Sequence, residues 1–194
     1  MKLNRKHLLA AFALILIGVV VGVTITNATY QQAQRQAYLR NHYDVNVLIV
    51  ARHPDGTIFY TYRTHNIVTN IGVTFLQVQA AGTPSATAAA TWIGLTSDST
   101  APAYTDTTLT SEIATSGLTR AAGTYTAGTA SSGDVTWTIT KTFTATGALT
   151  TVQKAGLWTT GTTGGTLFAE TTFASVNLAN GDTLSITWTV AATN

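Results

Sequence analysis

The 194-residue chain contains no cysteine and few charged residues. Without cysteine it can form no disulfide, no thiolate metal site and no cysteine nucleophile. Charged residues make up 9% of the chain, against about 25% in an average soluble domain. Threonine takes their place, at about one residue in five. A surface solvated by hydroxyl groups rather than by charges indicates an extracellular or assembled protein.

Most of the sequence also lacks the excess of positive charge that nucleic acids attract. The net charge of +2 comes from the N-terminus, because five of the ten Lys and Arg residues lie in the first 40. Beyond them, five cations stand against eight carboxylates, a net charge of −3. We therefore expect no nucleic-acid partner.

Residues 1–28, MKLNRKHLLAAFALILIGVVVGVTITNA, have the pattern of a membrane or secretory signal. Three cations precede an uncharged run from Leu8 to Ile25, which is about long enough to cross ~30 Å of hydrocarbon. Cations before the run place the N-terminus inside and the remainder outside. Two interpretations stay open, a signal anchor that is retained, which we favour, and a signal peptide cleaved after Ala28. Both export the rest of the chain.

Residues 29–42 are rich in Gln, Ala and Arg and contain no Gly or Pro. These residues favour helix, so we predict a helical stalk that continues from the membrane segment. A long apolar helix ahead of a β domain also resembles type IV pilins. The sequence departs from pilins because it lacks their small residue before the apolar run and the glutamate that follows.

Residues 43–194 are predicted to form an antiparallel β-sandwich, of jelly-roll or immunoglobulin-like type, with one short helix. A hairpin is expected around Pro54-Asp55-Gly56, and a helix that begins at Thr69 or Asn70 and ends at Gly82. The other predicted strands, separated by clusters of Gly, Ser, Asn and Asp, are Thr91–Thr96, Leu118–Thr126, Val135–Thr146, Thr151–Thr159, Gly165–Phe173 and Thr183–Ala192.

The segment DVTWTITKTFTATG carries threonine at every second position from Thr136 to Thr146. Because side chains alternate across a strand, the threonines are expected to point outward and Lys141 to lie at the margin of the core. The residues predicted to point into the core are Val135, Trp137, Ile139 and Phe143.

The threonine row has four possible roles. It could order water, carry O-linked glycans, contact a neighbouring subunit or be ordinary solvated surface. A water-ordering array needs threonines on neighbouring strands, where the sequence offers only Thr187 and Thr189 as company. O-glycosylated stalks are normally rich in Pro, which is scarce here. Subunit contact and ordinary surface are favoured equally.

No sequence motif of a catalytic or nucleotide-binding site appears in the required context, so we predict no enzyme activity, no catalytic residue, no cofactor and no metal. Two His–Asp spacings, His42 with Asp44 and His53 with Asp55, could place metal ligands on one face of a strand, with His65 following. A turn role for Asp55 and a stalk end at His42 explain these residues better.

Two further groups of side chains could form binding sites. The acids Asp98, Asp106 and Glu112 could bind Ca²⁺ in one long loop, but their spacing favours solvated carboxylates. The four tryptophans could form a sugar-binding platform, but apolar residues accompany most of them, which favours core packing. Those tryptophans are Trp92, Trp137, Trp158 and Trp188.

A family resemblance covers residues 66–190. It rests on the motif order NIVTNIGVTFLQ, WIGLTSDSTAPAYTDTTLTSEI, GLTRAAGTYT, TWTITKTFTATG, VQKAGLWTTGTTGGTLFAETTF and NLANGDTLSITWTV. This order resembles small β-sandwich proteins of tailed phages and of archaeal viruses or proviruses, with related archaeal surface proteins. The resemblance implies a tail, fibre or other virion structural component. A weaker resemblance links the chain to surface filament subunits that donate a strand to the next subunit.

These observations predict a non-enzymatic, exported structural subunit that assembles into a virion component or an extracellular surface filament. Its expected partners are copies of itself and the membrane that holds the N-terminal helix. The alternative is a membrane-anchored adhesion or carbohydrate-binding module, whose partners would be surface glycans. Either would lie on the extracellular side of the cell membrane.

Overall fold

The computed structural model describes Tyr30 and residues 43–81, 89–162 and 164–193. Contacts divide the chain into two units, Met1–Asn41 and His42–Asn194, and the second contains all ten described strands. The predicted signal segment and stalk lie outside the described residues, apart from Tyr30. Within the described ranges, no helix is long and apolar enough to cross a membrane.

The strands form two five-stranded antiparallel sheets, and one helix, α1 at Asn70–Ala81, accompanies them. Sheet I contains β1 Tyr43–Arg52, β2 Ile58–His65, β6 Thr124–Ala127, β7 Val135–Thr144 and β10 Thr183–Ala192, in the order β2-β1-β10-β7-β6. Sheet II contains β3 Ile67–Val68, β4 Trp92–Thr96, β5 Ala121–Ala122, β8 Leu149–Trp158 and β9 Leu167–Leu178, in the order β3-β9-β8-β4-β5. A mostly antiparallel β domain in two sheets with one short helix is confirmed.

Alternate residues of the long strands supply the hydrophobic core. Strand register in sheet I places Trp188 of β10 between Val47 of β1 and Ile139 of β7. All three side chains are buried. On β7, Phe143 is also buried, whereas Lys141 is half-buried with its Nζ 5.9 Å from the Phe143 ring. The predicted inward and outward sides of this strand are therefore confirmed.

Helix α1 begins where the sequence predicts, because Thr69 caps it. The Thr69 hydroxyl accepts a hydrogen bond from the Gly72 N–H at 3.0 Å and donates one to the Leu167 carbonyl. This is the geometry of an N-cap. Gly72 rests directly on β9, since a Cβ at this position would lie 2.1 Å from the Phe168 carbonyl oxygen. The predicted end at Gly82 lies outside the described residues.

The predicted hairpin is confirmed, and one predicted strand is wrong. β1 and β2 pair antiparallel across a turn in which Gly56 has a φ of +88°, a conformation that favours glycine. The stretch 118–126 is not one strand, because the chain passes from β5 in sheet II to β6 in sheet I. It crosses at Gly123, where a Cβ would lie 2.7 Å from the Ile139 Cγ2 atom. β9 is also longer than predicted, reaching Leu178.

Candidate interaction surface and buried charged cluster

Threonine and serine side chains form a regular array on the outer side of sheet I. Three neighbouring strands contribute in register, so that Thr126, Thr138 and Thr189 lie in one row across the sheet. Strands are about 4.8 Å apart, and alternate residues on one strand are about 6.7 Å apart. We call this array the threonine face; it comprises Thr124, Thr126, Thr136, Thr138, Thr140, Thr142, Ser185, Thr187 and Thr189.

The array is larger than the sequence indicated. The sequence indicates only Thr187 and Thr189 beside the row on β7, because it predicts β6 as part of the longer strand Leu118–Thr126. The register adds Thr124 opposite Thr140. Side chains on one surface of a sheet are brought together by strand pairing, which local periodicity does not reveal.

Hydroxyl groups of the threonine face bond to one another. Thr140 Oγ1 donates to Thr187 Oγ1 at 3.1 Å, and Thr142 Oγ1 donates to Ser185 Oγ at 3.1 Å. A hydroxyl that is already hydrogen-bonded costs less to remove from water than an unpaired one. The threonine face can therefore be covered by another protein surface at a modest desolvation cost.

Apolar side chains continue this surface onto β1. Leu48 lies opposite Thr187 and Val50 opposite Ser185, and both are half-buried. The outer side of β1 and β2 also carries the exposed charged side chains Asp44 and Arg63, because Arg63 is paired with Leu48 and Asp44 alternates onto the same side. The charge-free part of this surface is therefore the threonine face on β6, β7 and β10.

The four tryptophans lie on different surfaces and form no common platform. Trp188 is in the core between the sheets, and Trp137 packs against that core. Trp92 and Trp158 lie opposite each other on the outer side of sheet II. There they pack with Leu109 and Leu167 under the loop that follows β4. The core packing expected for the tryptophans thus divides between two clusters, and glycan binding stays a prediction.

His53 bonds an aspartate other than the one that its sequence spacing suggested. His53 Nδ1 lies 3.1 Å from Asp182 Oδ1 instead, while Asp55 accepts the Thr57 N–H in the hairpin turn. His65 Nδ1 lies 3.5 Å from Asp44, and both side chains are exposed. His42 is outside the described residues. In the described part of the chain, no group of three or more His, Asp or Glu side chains could hold a metal ion.

The three loop acids are not solvated carboxylates. Each one takes a separate partner on or above the outer side of sheet II, where the loop between β4 and β5 covers the sheet. Asp98 Oδ2 pairs with Lys154 Nζ at 2.9 Å, and Glu112 pairs with Arg120. Asp106 accepts the Ala103 N–H at 2.8 Å. The expectation was wrong because folding brings partners to these acids, and the partner of Asp98, Lys154, is 56 residues away along the chain.

Lys154, Asp98 and Glu170 form a buried charged cluster. Lys154 on β8 and Glu170 on β9 have only 4% and 1% of their side chains exposed, and Lys154 Nζ lies 3.9 Å from Glu170 Oε2. Asp98, with 16% exposed, enters the cluster two residues after β4. When Glu170 is ionised, neither of its carboxylate oxygens is paired with a hydrogen-bond donor among the described residues. Sequence reasoning missed Lys154 and Glu170, which follow no recognisable motif.

The environment of Glu170 favours its neutral form. Burial, followed by the hydrogen bond that it shares with Asp106, raises the pKa of Glu170 to about 8. A protonated Glu170 donates to the Asp106 carboxylate, and this hydrogen bond holds the pKa of Asp106 below its usual range. The hydrogen bonds from Lys154 and Thr100 lower the pKa of Asp98 to about 2. The cluster therefore combines one amine, one ionised carboxylate and one neutral carboxylic acid.

A second ion pair lies beside this cluster. Arg120 donates to both carboxylate oxygens of Glu112 and to the Thr162 carbonyl oxygen at 3.0 Å. Its guanidinium carbon lies 3.7 Å from the centre of the Trp158 ring. Gly94 leaves the space that Glu112 fills, because a Cβ there would lie 2.3 Å from Glu112 Oε1. The loop is therefore held onto sheet II by the Asp98–Lys154 ion pair and by the stacking of Arg120 on Trp158 of β8.

Between pH 4.5 and 8, the free energy of unfolding should fall as pH rises. Folding raises the pKa of Glu170 from its ordinary 4.5 to about 8, so the stability it contributes is present below 4.5 and is lost as pH rises through 8. Glu170→Gln stays neutral at every pH and should flatten this slope. Urea unfolding across the interval measures the effect.

Asp55→Asn is the matched control for that experiment. Hydrogen bonds from Thr57 lower the pKa of Asp55 below its ordinary value of 3.8. Asp55 therefore stays ionised throughout the interval from pH 4.5 to 8. If the free energy of unfolding changes with pH by the same amount in Glu170→Gln and in the unsubstituted protein, Glu170 is not the source of this pH dependence.

Comparison of the chain with known protein-family models, with curated proteins and with solved structures found no match. The resemblance to viral structural proteins stays a prediction.

Proposed function

We propose that the chain is a non-enzymatic, exported structural subunit that assembles with copies of itself into a virion component or an extracellular surface filament. The observation that carries the proposal is the threonine face. Its positions on β6, β7 and β10 include no charged side chain, and its hydroxyls are partly paired to one another. Depletion of charge is typical of the centre of protein interfaces.

The second copy is favoured as the partner for a chemical reason. A sheet surface of hydroxyls and methyl groups is complementary to another surface of the same kind, since each hydroxyl both donates and accepts. Two such surfaces can bond to each other directly or through bridging water. The N-terminal segment supports export and membrane attachment, and residues 29–42 would hold the β domain away from the membrane.

We also propose the jelly-roll arrangement rather than the immunoglobulin-like one. The first strand of the domain pairs antiparallel with the last, β1 with β10. The short β3 pairs antiparallel with β9, the strand before the last. This nested pairing of early with late strands supports a sandwich of Greek-key type.

Thr138→Lys together with Thr142→Lys should abolish assembly without unfolding the domain. Both side chains lie on the threonine face, and two ammonium groups buried there would lack partners. We expect the concentration required for assembly to rise more than about tenfold. Electron microscopy and light scattering of the full-length protein measure assembly, and circular dichroism verifies the fold.

The matched control is Thr105→Lys with Thr119→Lys, which adds the same charge at two exposed loop positions away from the threonine face. This control should assemble normally. The proposal is wrong if the unsubstituted protein is a monomer at physiological salt, or if both double variants assemble equally well.

A further inference from the structure

We propose that Lys154 and Asp98 condense to form an intramolecular amide bond, with Glu170 as the group that transfers the proton. This bond would join β8 covalently to the loop that follows β4. It is independent of the proposed assembly, because all three residues belong to one molecule.

The two reacting groups, the Lys154 amine and the Asp98 carboxyl group, lie in contact. Lys154 Nζ lies 2.9 Å from Asp98 Oδ2, so the amine is in contact with the carboxyl group whose carbon it would attack. Register explains the approach, because Lys154 is paired with Thr96 and Asp98 follows two residues later. Reacting groups held in contact gain a large effective concentration.

Hydrogen bonds hold the Asp98 side chain in one orientation. Its backbone N–H donates to the buried Thr96 hydroxyl at 3.0 Å. Its Oδ1 accepts the Thr100 N–H at 3.1 Å and the Thr100 hydroxyl at 2.8 Å, which leaves Oδ2 for Lys154. Gln153, the neighbour of Lys154, donates to the Ser97 carbonyl at 2.7 Å. Both sides of the new bond are therefore anchored before the reaction.

A second carboxyl group, that of Glu170, lies beside the reacting pair. Glu170 is buried, lies 3.9 Å from Lys154 Nζ and, when protonated, donates a hydrogen bond to the Asp106 carboxylate. An ion pair alone explains Lys154 and Asp98, but it does not explain why a second carboxyl group, only 1% exposed, lies beside the Lys154 amine. A neutral carboxylic acid 3.9 Å from the amine can donate one proton and accept another.

The reaction balances within the cluster. The Lys154 ammonium first passes one proton to the Asp98 carboxylate, which lies 2.9 Å away. The neutral amine then attacks the Asp98 carboxyl carbon, and a C–N bond forms. Glu170 donates a proton to the carboxyl oxygen and recovers one from the nitrogen. The C–O bond then breaks and water leaves, so an ammonium and a carboxylate become an amide and one water molecule. No oxidant, reductant or other reactant is needed.

The amide removes two charges from a site of low exposure, since Lys154 is 4% and Asp98 16% exposed. Taking an ammonium and a carboxylate out of water costs free energy that their mutual attraction often does not recover. The amide carries no charge, so its burial costs less. Burial also keeps water away from the bond once it has formed.

Mass spectrometry of tryptic peptides from the denatured full-length protein tests the proposal. Trypsin cannot cleave after an acylated lysine, so peptides 64–120 and 142–194 should appear joined, with a mass lower than their sum by one water molecule. Two separate peptides, with cleavage after Lys154, would overturn the proposal. Loss of water within 142–194 alone would assign the bond to Glu170 and would also overturn it.

Variants separate the three roles. Lys154→Arg and Asp98→Ala should show no loss of water, whereas Lys141→Arg, the control at the other described lysine, should retain it. Glu170→Gln should slow formation about 100-fold. Formation at the original rate in folded Glu170→Gln would overturn the proton-transfer role, and circular dichroism shows that each variant is folded.

Discussion

Trp188→Ala is expected to lower the free energy of unfolding by about 3 to 5 kcal/mol, the range for removing a large aromatic side chain from a core. Trp188 is fully buried, at 0% exposed. It lies at the centre of sheet I, with Val47 on one side and Ile139 on the other. Neighbouring strands of a hydrogen-bonded sheet cannot move inward to fill the cavity, so the loss should lie near the upper end of that range.

Trp188→Phe should cost much less. Within the described residues, the indole Nε1 of Trp188 has no hydrogen-bond partner, and a buried donor without a partner is itself destabilising. Phenylalanine removes this donor and keeps most of the ring.

Urea unfolding followed by tryptophan fluorescence and circular dichroism measures both variants. Tyr125→Ala is the matched control, because this aromatic residue is 56% exposed on the short edge strand β6. It should change stability by less than about 1 kcal/mol. A Trp188→Ala protein as stable as Tyr125→Ala would show that Trp188 is not central to the core.

Arg120→Ala should lower the free energy of unfolding by about 3 kcal/mol, because it leaves the Glu112 carboxylate without its partner at low exposure. The side chains of Arg120 and Glu112 are only 10% and 21% exposed. The substitution also removes the guanidinium that stacks on Trp158 and the hydrogen bond to the Thr162 carbonyl. The main consequence should be local, with the loop between β4 and β5 released from sheet II.

Two companion variants make this prediction specific. Arg120→Lys should recover only part of the loss, since one ammonium cannot bond both carboxylate oxygens and stack on the ring. Arg63→Ala removes an exposed arginine of β2 and should change stability by less than about 0.5 kcal/mol. Equal unfolding midpoints for Arg120→Ala and Arg63→Ala would contradict the structural role of Arg120.

Local pattern was enough to predict most elements of the domain. Alternation between apolar residues and threonine identified β7 and β10, and the Thr69 cap placed the start of α1. The hairpin followed from its turn residues. These features depend on neighbours within a few residues, which a sequence displays directly.

The sequence could not show where the chain changes sheets. The alternation of residues 118–126 continues through Gly123, although the strands on either side of it belong to different sheets. The change depends on the close approach of Gly123 to Ile139, a residue of another strand. The same limitation concealed Thr124 and Thr126 as parts of the threonine face.

By itself, the sequence determined that this chain has an all-β domain, little charge, an outward threonine row and an N-terminal segment typical of export. Only the tertiary structure assembled that row into an array of three strands, and only it brought Asp98 to Lys154, 56 residues away. The physical reason is that side-chain alternation is a local property of the backbone. Strand register and loop packing are long-range, so they decide which alternating positions meet.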